Sequence, residues 1–494
     1  MKKIFKRLVW FVSISVVLLL AVLFLKTATF SSKQIAVDSI GDIPLDEEIT
    51  ALHLARAVQF QTVSFEESSK FNIEEFLSFH KYLEEIFPRV HENLNLEVVG
   101  KYSLLYSWEG KSRGLNPILL MAHMDVVPVE PGTERDWVHP PYSGKLAGGF
   151  VWGRGTLDDK GCLMALLESV EWLLGQGFQP NRTIYLAFGH DEEVGGKSGA
   201  AQIASLLDSR NVELEYVLDE GFLIVDGVVP GSDQPVAMVG IGEKGFLSVE
   251  LIAGMEGGHS SMPGRETVIG LLSAAIHRLE KHPMPAKFSP PVQRMFDYTG
   301  PEMSPLMKMM IANRWLFGGL VKSQLSTSPT TDATIRTITA PTIFQSGVKE
   351  NVMPKTARAV VNFRIIPGDT IEEVVKHVKD VIVDPRITVN PLDRFVQNPS
   401  PISDVDSSSF ELVHRTIREV FPDVLVAPGL TIAATDSRHY LGMTGNVYRF
   451  IPIRLRPDDI SRIHGTNERI SVVNYLEIIK FYVQLIKSSS LFEF

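Results

Sequence analysis

The chain predicts an α/β protein: a mostly parallel, helix-covered sheet, an α+β module inserted into it, and one transmembrane helix in front. Three observations carry this. Short apolar runs at 117–122, 182–188 and 216–218 each stop at a polar cluster, at His123, Gly189-His190-Asp191 and Asp219, with helical patterns between them. Alternating strand and helix produce a parallel sheet covered on both faces. Residues 242–393 carry a different pattern, and residues 8–25 form an uncharged apolar run behind Lys2, Lys3, Lys6 and Arg7.

The 18 residues of that run would span about 27 Å as a helix, against a hydrocarbon core of about 30 Å. The following Lys26-Thr27-Ala28-Thr29-Phe30 is a poor cleavage site. Residues 1–26 therefore read as an uncleaved signal anchor, with a cleaved signal peptide as the alternative. The basic flank stays cytoplasmic and the rest lies on the extracytoplasmic side (periplasmic, lumenal or extracellular), or is secreted if the segment is cleaved. Residues 27–45 read as a linker.

A chain of 494 residues is too long for one core. Residues 46–241 form the first part of the main domain. Within it, Leu163, Leu166, Leu167, Val170 and Leu174 mark one face of a helix. In 242–393, a strand at 246–252 precedes a helix at about 266–279, and a strand at 359–364 precedes a helix at 370–381. Thr370 with Glu373 caps that second helix. Such a module is a separate lid. Its insert, about 282–340, is rich in Met and aromatic residues (Met303, Met307, Met309, Met310, Trp315 and Phe317 among them). It reads as a helical hairpin packing on the lid, or as an adaptable apolar wall for a long acyl chain or a membrane. Residues 394–494 return to the main domain.

The net charge is −10 and no basic stripe relieves it, which excludes a nucleic-acid partner. Cys162 is the only cysteine, so there is neither a disulfide framework nor a thiolate zinc site.

Five islands carry the chemistry: His123-Met124-Asp125, 153–161 (GRGTLDDKG), Asp191-Glu192-Glu193, Leu218-Asp219-Glu220-Gly221 and His464-Gly465-Thr466-Asn467-Glu468. Imidazole and carboxylate are zinc donors, and two ions close together clamp a hydrolytic transition state. One island alone would be a solvated strand end or an acidic loop. The adjacent Glu192 and Glu193 face different ways when extended, so one can bind metal while the other holds water.

In this order the islands resemble the di-zinc metallopeptidase family of aminoacylase, carboxypeptidase S and succinyl-diaminopimelate desuccinylase, over about residues 46–490. The nearest look is to the carboxypeptidase S and N-fatty-acyl-amino acid synthase/hydrolase branch. The resemblance implies a zinc-peptidase catalytic domain with an inserted ferredoxin-like lid, and two Zn²⁺ bridged by Asp158, with the peptide after Asp158 cis. It makes His123, Glu193 and His464 zinc ligands, Asp125 the carboxylate orienting a neighbour, and Glu192 the general base. Members use an Asp or a Glu at 219–220, and the spacing from Glu193 favours Asp219 over Glu220. His259 would support the oxyanion, in some members from a second subunit of a homodimer. Asn351 and Arg364 would bind the substrate carboxylate, and Thr435 would add a polar contact.

The expected reaction is hydrolysis of an amide beside a free-carboxylate amino acid, in a short peptide or an N-acyl amino acid. N-fatty-acyl-amino acid synthesis and hydrolysis is the narrower alternative. A non-catalytic, membrane-tethered member would lack one of these groups, and an aminopeptidase would not need Arg364.

Overall fold

In the computed structural model of the chain, the described residues are 2–227, 231 and 233–491. The extreme ends of the expected anchor and of the C-terminal segment, residue 1 and residues 492–494, lie outside them. The chain divides into two compact units. One holds residues 32–241, 403–429 and 434–494, and the other holds 1–31, 242–402 and 430–433.

The larger unit is built on a sheet whose centre is parallel. Ile184–Gly189, Ile118–His123, Val217–Asp219 and Val447–Arg449 lie side by side in that order, each parallel to the next. The registers align His123 with Gly189 and Asp219 with Arg449. The same ends of these strands therefore open onto one edge, where open α/β sheets place their sites. The flanks differ from expectation. Asn95–Val99 and Ser103–Trp108 join antiparallel on one side, and Val236–Glu243 pairs antiparallel with Val447–Arg449 on the other. The sheet is mixed rather than mostly parallel, because hairpin-length connections such as 99–103 return the chain antiparallel.

Alternation along the strands fills two layers. Leu119 and Met121 join Ile203, Ala204 and Leu207 of the helix Ala200–Ser209 in one buried cluster. The helices Lys160–Gly175 and Val472–Leu491 pack together, with the Ser169 hydroxyl donating to the Ile479 carbonyl at 3.0 Å.

The smaller unit contains a four-stranded antiparallel sheet in the order Ile338–Ser346, Thr356–Ile365, Gly245–Gly254, Ile387–Gln397. The helices Val268–Lys281 and Ile371–Ile382 bury Leu272, Ala275, Leu279, Val374 and Val378 against Leu247, Val249, Leu251, Val361 and Phe363. The chain order is strand, helix, strand, strand, helix, strand, which is the ferredoxin-like order. Thr370 and Glu373 form the reciprocal capping box that their spacing suggests. The strands 338–346 and 387–397 were not evident from sequence. Their solvent-side residues are mixed, and a proline interrupts each (Pro341 and Pro391), which demotes a run from a strand reading.

Four short helices, Pro290–Thr299, Pro305–Ala312, Arg314–Leu325 and Pro329–Ile335, lie between the first helix and second strand of this module. The helix Lys2–Ala28 is long and apolar enough to cross a membrane.

His414 provides a test of the larger unit. It is buried on the helix Ser408–Val420, and burial, with Arg418 and Arg415 nearby, pushes its pKa down to about 3. The folded imidazole stays neutral while the unfolded one protonates below 6.5. Stability is therefore lost as pH falls from 6.5 toward 3, by about 1.4 kcal/mol per pH unit within that window. Urea unfolding at pH 7 and pH 5 should show a smaller pH-dependent loss in His414→Gln than in the parent.

Candidate metal centre

The C-terminal ends of the parallel strands deliver the site. His123 ends its strand and is buried, with Nε2 2.9 Å from Asp158 Oδ1 and 3.6 Å from Glu220 Oε1. On the other side of Asp158, Oδ2 lies 2.9 Å from His464 Nε2, which is 3.2 Å from Glu193 Oε1. Two groups of donors, His123–Asp158–Glu220 and Asp158–Glu193–His464, thus share one aspartate. Within each group the donor atoms lie within 4.8 Å of one another.

Asp125 organises both. Its Oδ1 accepts from the Glu192 amide at 3.2 Å. Its Oδ2 accepts from the Glu193 amide at 3.2 Å and the Ser64 hydroxyl at 2.6 Å. His123 Nδ1 lies 3.0 Å from the Asp125 carbonyl. Asp125 therefore holds an imidazole at its backbone carbonyl and the backbone of both glutamates at its fully buried carboxylate.

The turn carrying Asp158 is held by Glu468. Its Oε1 accepts from the amides of Gly155 and Leu157 at 2.9 Å and of Asp158 at 3.4 Å, while Oε2 accepts from Arg154 at 2.6 Å. Arg154 also donates to the His464 carbonyl at 3.0 Å, so one ion pair joins the two ligand-bearing loops. Gly153 and Gly155 have φ of 148° and 90°. A Cβ at Gly153 would meet Val58 at 2.4 Å, and at Gly155 it would meet Val126 at 2.8 Å. The glycines are there because the backbone is both left-handed and crowded. The Asp158–Asp159 peptide is cis, as the resemblance implied.

Charge crowds this space. Burial, then Asp158, pushes Glu220 up to about 7. Burial, then Glu220 and Asp436, pushes Glu192 well above the usual carboxylate range, and burial followed by Asp158 raises Glu193. Asp158 and Glu193 together push His464 up to about 10. Three carboxylates facing two imidazoles are the nitrogen and oxygen donors that divalent zinc takes, and a cation relieves their repulsion. The residues present therefore fit metal. His123 is 2% exposed and His464 50%, so the second group is the open one.

Asp219, favoured as a ligand, lies in neither donor group. Its Oδ2 accepts from the Ser437 amide at 2.7 Å, and Thr435 also bonds it. Asp219 ends a strand with its side chain turned into the fold, so the next residue, Glu220, turns toward His123. Thr435, expected to face substrate, is 2% exposed, and its hydroxyl lies 2.7 Å from that of Ser437.

His259, Asn351 and Arg364 belong to the smaller unit. His259 is exposed on a two-residue strand paired with Val352–Met353, and the Asn351 carbonyl accepts from the Ser260 amide at 3.1 Å. Arg364 is half-buried, its guanidinium 4.6 Å from the Phe246 ring centroid. Lys244, which sequence reasoning passed over, is buried in the same unit. Burial, then Arg364, pushes it down to about 7. Glu468 was visible only as the last letter of a motif, because nothing local reveals that it bonds a turn more than 300 residues away.

A sheet whose parallel strands end in paired imidazole and carboxylate groups is the build of a metal-dependent hydrolase. The chain belongs to peptidase family M20/M25/M40, whose model matches residues 119–488, and it is an enzyme of that metallopeptidase family. It is 44% identical to the probable carboxypeptidase S-like 2 of Dictyostelium discoideum, over 95% of this chain and 92% of that one. It is 40% identical to the N-fatty-acyl-amino acid synthase/hydrolase PM20D1 of Xenopus tropicalis, over 96% and 94%. Among solved structures, the M20 family metallo-carboxypeptidase Sso-CP2 of Sulfolobus solfataricus shares the fold, with a TM-score of 0.63 at 18% identity, covering 91% of this chain and all of that one.

Glu468→Ala would leave Arg154 and three amides without their acceptor. The expected cost is about 3–5 kcal/mol of stability in chemical denaturation. Metal affinity, read by competition with a chromogenic chelator, should weaken about 10- to 100-fold.

Proposed function

We propose that the enzyme is a di-zinc amide hydrolase of the carboxypeptidase and N-acyl-amino-acid hydrolase type. The observation that carries this reading is the shared Asp158, which places two donor groups side by side. His123 and Glu220 would hold one ion, Glu193 and His464 the other, and Asp158 both. Glu220 takes the position that sequence spacing had given to Asp219, which is left to order the loop at 435–437. Bound zinc supplies Lewis acidity, polarising an amide carbonyl and lowering the pKa of water.

The rest falls to the chain's own groups. The Glu192 carboxylate takes a proton from water as the water oxygen joins the carbonyl carbon. It then returns that proton to the nitrogen as the carbon–nitrogen bond breaks. Its raised proton affinity suits a group that must gain and lose a proton near neutrality. Asp125 fixes the backbone from which Glu192 projects. In the smaller unit, taken as the lid, His259 would donate to the amide oxygen. Arg364, with Asn351, would hold the carboxylate of the departing amino acid by a planar fork. A homodimer through the lid remains part of the proposal.

The substrates are short peptides or N-acyl amino acids. Fatty acyl chains are the narrower reading, favoured by the apolar insert and by the relative named for them. That relative's name covers synthesis, the reverse condensation, as well as hydrolysis. The helix Lys2–Ala28 is taken as an anchor, with the enzyme on the extracytoplasmic side.

The test uses a dipeptide and a long-chain N-acyl amino acid, each with zinc and after chelation. Chelation should abolish turnover. Glu192→Gln should lose about 10²- to 10⁴-fold in kcat while its metal content stays that of the parent. Equal, feeble rates on both substrates would overturn the reading.

A second experiment separates the neighbouring acids. Glu220→Gln should lose one metal equivalent by elemental analysis, and Asp219→Asn should keep both. Arg364→Lys should raise KM for free-carboxylate substrates more than for their amides.

A further inference from the structure

The helix Lys2–Ala28 docks on the insert through one face at its C-terminal end. Leu23 is buried. Asn313, fully buried, donates from Nδ2 to the Leu23 carbonyl at 3.3 Å, to the Thr27 hydroxyl at 3.3 Å and to the Met309 carbonyl at 2.9 Å. The Phe30 ring lies where a Cβ on Gly300 would come within 2.6 Å of it. Leu23 and Thr27 are four apart, the spacing of one helix face, and Phe30 follows just beyond the end of the helix at Ala28.

Beside this contact the insert exposes a large apolar surface. Leu306 is 63% exposed, Trp315 55%, Leu316 44% and Leu320 59%. Leu316 and Leu320 are four apart on one face of the helix Arg314–Leu325, with Trp315 beside them. Phe24 and Leu25 of the long helix are exposed as well, at 76% and 64%. Lys26 Nζ stands 5.7 Å from the Trp315 ring centroid.

We propose that this face of the insert lies in the interfacial layer of a phospholipid bilayer, on the side where the anchor helix emerges. The proposal rests on the anchor reading above. The apolar run of the anchor ends at Leu25, and the insert grips the helix at Leu23 and Thr27 and the chain just beyond it at Phe30. A helix that spans the bilayer therefore sets the insert at its surface. An in-plane helix with Trp and Leu toward lipid is the form that interfacial binding takes, and Trp and Lys are the residues that settle at that depth. Contiguous exposed apolar surface marks an interaction site rather than an ordinary solvent face. The occupant is lipid rather than a second copy because the bilayer's position is already fixed by the helix that touches the insert.

The test uses the full chain reconstituted in phosphatidylcholine vesicles. Cys162 is buried, so a cysteine introduced by Leu320→Cys is labelled selectively with an environment-sensitive fluorophore. Leu316→Cys is a second position, in case the first disturbs the helix. Phe11→Cys reports the span and Val473→Cys, on the larger unit, reports solvent. Lipids carrying a nitroxide high on the acyl chain should quench most of the fluorescence at 320 and 316, while aqueous iodide quenches only at 473.

Labels at 320 and 316 that answer to iodide and not to lipid, with 11 still quenched by lipid, would overturn the docking and leave the anchor standing. Silence to both quenchers would mean protein covers the face, a second copy included, and would also overturn it. Lack of lipid quenching at 11 would remove the anchor and the proposal with it.

Discussion

Asp158 is the constraint on which the centre depends. Its two carboxylate oxygens each stand 2.9 Å from an imidazole, one at the end of a central strand and one in a loop more than 300 residues later. A carboxylate is the smallest side chain with two oxygens to divide in this way. The turn that presents it needs left-handed glycines at 153 and 155. The buried Arg154–Glu468 pair holds it there, drawing the turn and the C-terminal loop into one piece.

Around that aspartate the larger unit concentrates negative charge to a degree that side chains alone do not balance. Asp125, Glu192, Glu193 and Glu220 all stand within reach of His123 or His464, and several are driven up in proton affinity. Asp125 is the exception that explains the rest. Its oxygens accept from two amides and a hydroxyl, so it acts as a structural acceptor, while Glu193 and Glu220 turn theirs to the imidazoles. The carboxylate group therefore serves opposite purposes according to whether its lone pairs are already engaged.

The smaller unit meets a different demand. Its sheet and two helices close a core of their own, and the four short helices add little to it. Those helices instead hold the end of the long apolar helix and leave Trp and Leu side chains open. Burial stabilises by about 25 cal/mol for each Å² of apolar surface removed from water. Apolar surface left out of the core keeps that free energy for another phase.

The amino-acid sequence by itself determined the donors, the apolar strand runs and the family resemblance. Each is written in short stretches, such as His123-Met124-Asp125 or Asp191-Glu192-Glu193, whose chemistry does not depend on distant neighbours. The capping box at Thr370 was legible for the same reason. Tertiary structure decided what depends on direction. Asp219 and Glu220 are adjacent and chemically alike, and only the strand's twist and the claim of Ser437 on Asp219 turn Glu220 to the imidazole. Thr435 is polar in any reading, yet the loop buries it. The antiparallel flanks of the sheet, the proline-interrupted strands at 338–346 and 387–397, and the role of Glu468 were out of reach because long-range pairing sets them. Local periodicity reports which face of an element is apolar, and it carries no record of the partner that will cover that face.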